Sequence, residues 1–153
     1  MKALLSLIPV CLFSWSLQAQ CPDVELGALQ SLQKADIAIK ESKIQDLGFD
    51  LHSEFVSKGA TMRRYNKCWM GNAGGKAMYE QILIWNSTAN HLTLLLFNEG
   101  KFQAFKLLIE ERHNSASAQK NNDSYVGKMF VYRYSIQKID NTDYFAVSIN
   151  FKS

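Results

Sequence analysis

The chain has 153 residues, 47% of them hydrophobic, and a formal net charge of +3 at pH 7. This length is enough for one domain with a hydrophobic core. A charge this small argues against nucleic acid or an anionic membrane surface as a partner.

The N-terminal segment has the features of an export signal. Lys2 provides a positive start, residues 3–17 are mostly apolar but too short for a comfortable membrane span, and Ala19 offers a cleavage site. We predict a cleaved signal peptide at 1–19 and a single secreted α+β domain at 20–153. Cleavage removes Lys2, so the net charge falls from +3 to +2.

The predicted mature chain has no apolar stretch long enough for a transmembrane helix, so we expect no integral membrane segment. We therefore expect a secreted or periplasmic protein. The alternative is a lipid anchor at Cys21, but Gln20 stands where lipoprotein signals carry a small residue.

Two cysteines remain after cleavage, because Cys11 leaves with the signal. An even pair in an oxidising compartment predicts a disulfide. We predict that Cys21 and Cys68 form this bond, which joins the start of the mature chain to its middle. In the chain-entropy model a loop of this size contributes about 4 kcal/mol to stability.

The first half of the mature chain predicts helix followed by strands. Apolar residues at helical spacing predict helix over 23–47, with a break near Asp36 and a stop at Gly48. A glycine-rich loop and an Asn-rich turn then separate extended segments, the last two of which form a hairpin. The strands are expected at residues 49–56, 60–69, 79–85 and 92–97.

The second half repeats this order. Phe102, Phe105, Leu108 and Ile109 form one apolar stripe, which predicts a helix over 100–112. The polar segment 113–124 is expected to be a loop. Alternating apolar residues then predict two strands around a short turn, at 125–139 and 144–151.

This repeated order predicts an α+β two-layer sandwich, with an antiparallel sheet and two helices on one face. The segments YEQILIWNSTANHLTLLLFN and YSIQKIDNTDYFAVSINF share a pattern of strand, Asn-rich turn and strand, which suggests two tandem helix-plus-strands units. In overall organisation the chain is similar to small secreted inhibitors built from such tandem units, of which the β-lactamase-inhibitor protein is one. The similarity is architectural, no motif is shared, and we assign no family.

The stretch WMGNAGGKAMYEQ at residues 69–81 resembles a phosphate-binding loop at Gly75-Lys76. A P-loop requires glycine where this chain has Met70, and Ser or Thr where it has Ala77. A strand also follows this run, whereas a helix follows a P-loop. We therefore interpret the glycine run as a flexible loop between strands.

No complete catalytic or metal motif is present. Glu110 and His113 form a single E-x-x-H pair, whereas a di-iron site needs two such pairs and further carboxylates. Cys68 would be a candidate nucleophile, but a disulfide accounts for it more simply. We expect no enzyme activity, no metal and no cofactor.

The segment from Lys58 to Trp69 carries four cations among two aromatic residues. Such a mixture can hold a partner, because Trp, Tyr and Arg are enriched in interface hot spots. The competing interpretation is a solvated edge strand that is protected by charge. The predicted binding residues are Arg63, Arg64, Tyr65 and Trp69, with the glycine loop at 71–75 adapting to the partner.

These observations favour a non-enzymatic binding module that acts through protein–protein recognition, as an inhibitor or immunity protein does. The alternative is a small-molecule or lipid carrier with a pocket between sheet and helices. Its pocket would be lined by Phe102, Phe105, Phe130, Tyr132 and Tyr134. In a eukaryotic source, Asn86 and Asn122 would be glycosylation acceptors.

Overall fold

A computed structural model describes residues 21–112, 119–121 and 123–152. The predicted signal peptide lies outside these residues, as do His113 and Asn122. The described helices are α1 (Leu26–Lys34), α2 (Ile37–Asp46) and α3 (Glu99–Arg112). The described strands are β1 (Asp50–Ser57), β2 (Ala60–Ala73), β3 (Lys76–Asn86), β4 (His91–Leu96), β5 (Gln119–Asn121), β6 (Ser124–Val126), β7 (Phe130–Ile139) and β8 (Thr142–Phe151).

The described strands form one antiparallel sheet in the order β1-β2-β3-β4-β8-β7-β6-β5. Strands β1 to β4 follow α1 and α2, and strands β5 to β8 follow α3. β4, the last strand of the first set, pairs with β8, the last strand of the second set, at the centre of the sheet. Leu94 lies opposite Val147 in this pair. The predicted α+β sandwich of two tandem units is therefore confirmed.

The helices pack against one face of the sheet. Leu29 of α1, Ile44 of α2 and Ile109 of α3 are fully buried in the same hydrophobic cluster. The sheet contributes alternate residues from its central strands to this cluster, as period-two alternation requires. These sheet residues are Leu83, Trp85, Leu92, Leu94, Leu96, Tyr132, Tyr134, Val147 and Ile149.

The predicted 23–47 helix is two helices, divided at Ala35 and Asp36. Asp36 occupies the N-cap position of α2, although its side chain makes no capping hydrogen bond. Gly48 ends the segment at φ 82°, and its amide donates to the carbonyl of Gln45. A left-handed glycine at this position is a common way to stop a helix.

Three strand predictions need correction. β2 continues through residues 70–73, so the glycine run is largely strand, and only Gly74 and Gly75 form the turn. The expected single strand over 125–139 is divided into β6 and β7 at residues 127–129. Part of the expected loop at 113–124 is the short strand β5.

The opposite face of the sheet carries a smaller hydrophobic cluster, which includes Ile82, Leu95 and Ala146. The turn between β7 and β8 reaches across to β2, where Asp140 pairs with Arg64. Tyr144 also extends to β3, where its hydroxyl donates to the carbonyl of Tyr79 at 3.1 Å. These two contacts connect β2 and β3 to the β7–β8 hairpin across this face of the sheet.

The predicted disulfide is confirmed, because Cys21 and Cys68 are bonded with their Cα atoms 5.9 Å apart. A sulfur in this bond cannot also carry a lipid thioether, so the bond and a lipid anchor at Cys21 are mutually exclusive. No helix in the described part of the chain has the length and apolar character needed to cross a membrane.

Candidate functional site

The β2–β3 hairpin extends beyond the rest of the sheet. On one side β1 pairs with β2 only as far as Asn66, and on the other β4 pairs with β3 only from Gln81. In the described part of the chain, residues 67–80 of β2 and β3 therefore pair only with each other and form a two-stranded projection, which we call the ribbon. The ribbon ends in a tight turn at Gly74 and Gly75, with φ of 57° and 78°. Such a turn favours glycine at both positions.

The ribbon exposes two large apolar side chains. Trp69 is 64% exposed and Met70 is 38% exposed. A tryptophan that could be buried is costly to leave in water, since its full burial removes roughly 150–250 Å² of surface. Exposed aromatic residues on a projecting element are a feature of protein-binding surfaces.

The base of the ribbon is fixed to the N-terminal segment. Besides the disulfide, the ammonium group of Lys67 donates to the carbonyl of Pro22 at 2.8 Å. The Gln81 amide donates to the same carbonyl at 3.1 Å. Burial lowers the pKa of Lys67 from its usual value. These contacts hold the base, and Lys76, next to the glycine turn, pairs with Asp140 at 3.5 Å.

Irregular backbone is concentrated where the ribbon joins β1. The pairing of β1 with β2 shifts register between Leu51 and Ser53, and that of β2 with β3 shifts between Trp69 and Gly71. Cys68, which directly precedes the second of these shifts, has a φ of 56°, which is uncommon for a residue other than glycine. Bulges and unusual backbone angles redirect side chains and are frequent beside functional sites.

A cleft of about 260 Å³ opens beside these irregularities. Asp50 and Asn66, which form a direct cross-strand pair, contribute to its wall. His52 and Tyr79 also line it, with their rings in an edge contact at 6.2 Å. The lining residues are Asp50, Leu51, His52, Asn66, Cys68, Trp69 and Tyr79.

The four predicted binding residues do not form one exposed surface in the structure. Tyr65 is fully buried and has no surface for a partner. Arg63 bonds Glu41 of α2 at 2.9 Å and Glu54 of β1 at 2.6 Å, and its guanidinium lies over the buried Trp85 ring.

Arg64 lies on the opposite face from Arg63 and Tyr65. It is 8% exposed and donates to Asn66 at 3.0 Å and to Asp140 at 2.8 Å. Of the four residues, Trp69 alone presents most of its side chain to solvent.

The other lining residues of the cleft come from different strands, and no local motif in the sequence joins them.

Other predicted sites are placed as follows. Lys76 pairs with Asp140 at 3.5 Å and precedes no helix, so Gly75-Lys76 forms part of a hairpin and not of a phosphate cradle. Glu110 accepts from Lys120 at 2.6 Å. No cluster of three potential metal ligands occurs within residues 21–112, 119–121 and 123–152.

Asn86 is 8% exposed and accepts from the amide of Ala89, so its side chain is poorly placed for glycosylation.

The five aromatic residues proposed to line a carrier pocket lie in the main core. Phe102 is packed against Tyr134 at 6.0 Å, and Phe130 against Tyr132 at 6.2 Å. A separate cleft of about 210 Å³ lies beside α3 and includes Phe105 in its lining. This volume is below the roughly 300–1,000 Å³ that is usual for ligand pockets.

Comparison of the chain with protein-family models, curated proteins and solved structures finds no match. The function is therefore inferred from the geometry of the ribbon and its cleft.

Proposed function

We propose that this protein is a secreted or periplasmic, non-enzymatic binding module that recognises a protein partner through its ribbon, in the manner of an inhibitor or immunity protein. The observation that carries this proposal is the exposure of Trp69 on a projection that is fixed at its base. A rigid base lowers the entropy that is lost on association, and a large aromatic side chain supplies contact area.

The chemistry of the ribbon supports binding rather than catalysis. Its exposed large apolar side chains, Trp69 and Met70, are neither acids, bases nor nucleophiles. Lys76, the cation near the tip, is paired with Asp140. The cleft at its base contains one carboxylate, Asp50, whereas hydrolysis of a glycosidic bond usually requires two. The carrier alternative stays a prediction.

The experiment is affinity capture with residues 20–153 as bait, the disulfide intact, from extract and secreted fluid of the source organism. Trp69→Ala is the test variant. Val56→Ala is the matched control, because Val56 is 74% exposed and lies near the far end of β1. We expect one stoichiometric protein that the control retains and the test variant loses. Equal retention by both variants would refute recognition through the ribbon.

A further inference from the structure

The cleft at the base of the ribbon combines polar and aromatic groups in a way that goes beyond what protein recognition requires. Asp50 and Asn66 are direct cross-strand neighbours, so their side chains lie on the same face of the sheet within reach of one ligand. Asp50 is exposed and Asn66 is 4% exposed. A solvated carboxylate and a buried amide therefore contribute to the wall of one cleft.

The amide of Asn66 has a fixed orientation. Its Oδ1 accepts a 3.0 Å hydrogen bond from Arg64, and Arg64 is itself held by Asp140. The Nδ2 group is thereby left as a donor, and in the described part of the chain it has no acceptor. A buried donor without an acceptor costs about 1–3 kcal/mol, and a ligand oxygen would remove that cost.

Aromatic side chains complete the cleft. Trp69 offers an exposed indole, and Tyr79 and His52 lie in contact with each other on the wall. The face of an aromatic ring carries negative charge density, which attracts polarised C–H groups as well as cations. The aromatic part of the cleft therefore accepts either a sugar ring, through its C–H face, or a cation.

The polar groups distinguish between these two ligands. A cation offers only donors or bare charge, so it would satisfy Asp50 but leave the Asn66 donor unpaired. A hydroxyl group both donates and accepts, so neighbouring hydroxyl groups satisfy Asp50 and Asn66 together. The volume of about 260 Å³ is below that of usual ligand pockets, so the cleft can hold only a small ligand.

We propose that this cleft binds one ring of a neutral saccharide, with Trp69 stacked on its C–H face and with Asp50 and Asn66 bonded to its hydroxyl groups. The two register shifts lie next to these residues, one after Leu51 on β1 and the other after Trp69 on β2. The binding involves no bond cleavage.

Tryptophan fluorescence tests the proposal directly. Residues 20–153 contain two tryptophans, Trp69 and Trp85, and Trp85 is buried at 2% exposure, so the exposed indole reports on the cleft. The protein is titrated with methyl glucoside, methyl galactoside, cellobiose and N,N′-diacetylchitobiose, and with tetramethylammonium as the cation probe. Two-dimensional NMR of the labelled protein gives a second readout that does not depend on Trp69.

We expect saturable binding of at least one saccharide with a dissociation constant near 1 mM, to order of magnitude. Trp69→Ala and Asp50→Ala should each weaken it about tenfold or more, which corresponds to roughly 1.4 kcal/mol. Val56→Ala should bind as the wild type does. Asp50 is exposed, so its variant tests the cleft with little risk of misfolding.

Two outcomes would overturn the proposal. One is saturation by tetramethylammonium without saturation by any saccharide, which would identify a cation site. The other is the absence of saturation up to roughly 10 mM, ten times the expected constant. The titration uses no protein partner, so its failure leaves the proposed protein recognition standing, and failure of the capture experiment leaves the saccharide site standing.

Discussion

The guanidinium of Arg64 donates a 2.8 Å hydrogen bond to the carboxylate of Asp140, 76 residues away in the chain. Arg64 belongs to β2 of the first unit, and Asp140 to the turn between β7 and β8 of the second. Because Arg64 also fixes Asn66, this ion pair connects the second unit to the wall of the cleft.

Asp140→Asn should lower the free energy of unfolding by about 1–2 kcal/mol, since Arg64 is nearly buried while Asp140 is partly exposed. Asp143→Asn is the control, because Asp143 pairs with Lys138 where both side chains are more than 60% exposed. We expect a change below about 0.5 kcal/mol for the control. Urea denaturation measures both, and equal effects would contradict the assignment.

The same pair predicts a response to acid. The hydrogen bond from Arg64 lowers the pKa of Asp140 below its usual value of 3.8. The unfolded chain therefore takes up this proton first, and the stabilisation is lost as the pH falls below about 4. Asp140→Asn should lose less stability between about pH 5 and pH 3 than the wild type does. Parallel acid denaturation curves for the two proteins would contradict this prediction.

Lys40 is fully buried in α2, and its ammonium group donates to the carbonyl of Gln33 at 3.2 Å. Burial lowers its pKa from 10.5 to about 8. The folded state thus loses the proton before the unfolded state does, so stability should rise as the pH increases from about 8 to 9.5.

Lys40→Met should remove this rise and stabilise the protein at pH 7. That gain should be on the order of 1 kcal/mol or more, because the folded state no longer buries a charged ammonium group. Lys43→Met, in the same helix, is the control and should keep the pH dependence of the wild type. Denaturation at several pH values measures the effect, and a variant with an unchanged slope would contradict the account.

Removal of the disulfide should affect both stability and the ribbon. Cys21→Ala together with Cys68→Ala is expected to cost about 2–4 kcal/mol, given a sequence separation of 47 residues. Amide hydrogen exchange should accelerate more in residues 67–80 than in β8, because the bond holds the ribbon at its base. A uniform acceleration would show that the bond stabilises the fold without restraining the ribbon.

The two tryptophans within residues 20–153 should separate binding from folding. Trp85 is 2% exposed in the main core, so Trp85→Ala should cost about 3–5 kcal/mol. Trp69 is 64% exposed, so Trp69→Ala should change stability by less than about 0.5 kcal/mol. A large loss of stability in Trp69→Ala would indicate that this residue serves the fold and not a partner.

Sequence patterns predicted the parts of the fold that are set by local periodicity. β8 alternates in sequence, and Val147 and Ile149 are buried as expected, whereas Phe151 at the end of the strand was expected inward and is 47% exposed. Phe102, Phe105 and Ile109 also face the core, whereas Leu108 of the same stripe is 45% exposed. Where one face of an element is buried, apolar spacing alone reveals it.

The ribbon was not predicted, although β2 and β3 are consecutive in the chain and pair directly across the two-residue turn at Gly74 and Gly75. Gly71, Gly74 and Gly75 indicate a loop, but two of them form a hairpin turn and the third lies at a register shift. Alternation could have separated Arg64 from Arg63 and Tyr65, since neighbours in a strand face opposite ways. The cleft depends on the register between β1 and β2, which no single segment encodes.

Trp69 should carry most of the affinity for the proposed protein partner. The most direct test is isothermal titration of the captured partner with the wild type, Trp69→Ala and Val56→Ala. We predict a loss of affinity of about 30-fold or more for Trp69→Ala, the effect of a hot-spot residue worth about 2 kcal/mol, and wild-type affinity for Val56→Ala. Equal affinity in all three proteins would contradict the account.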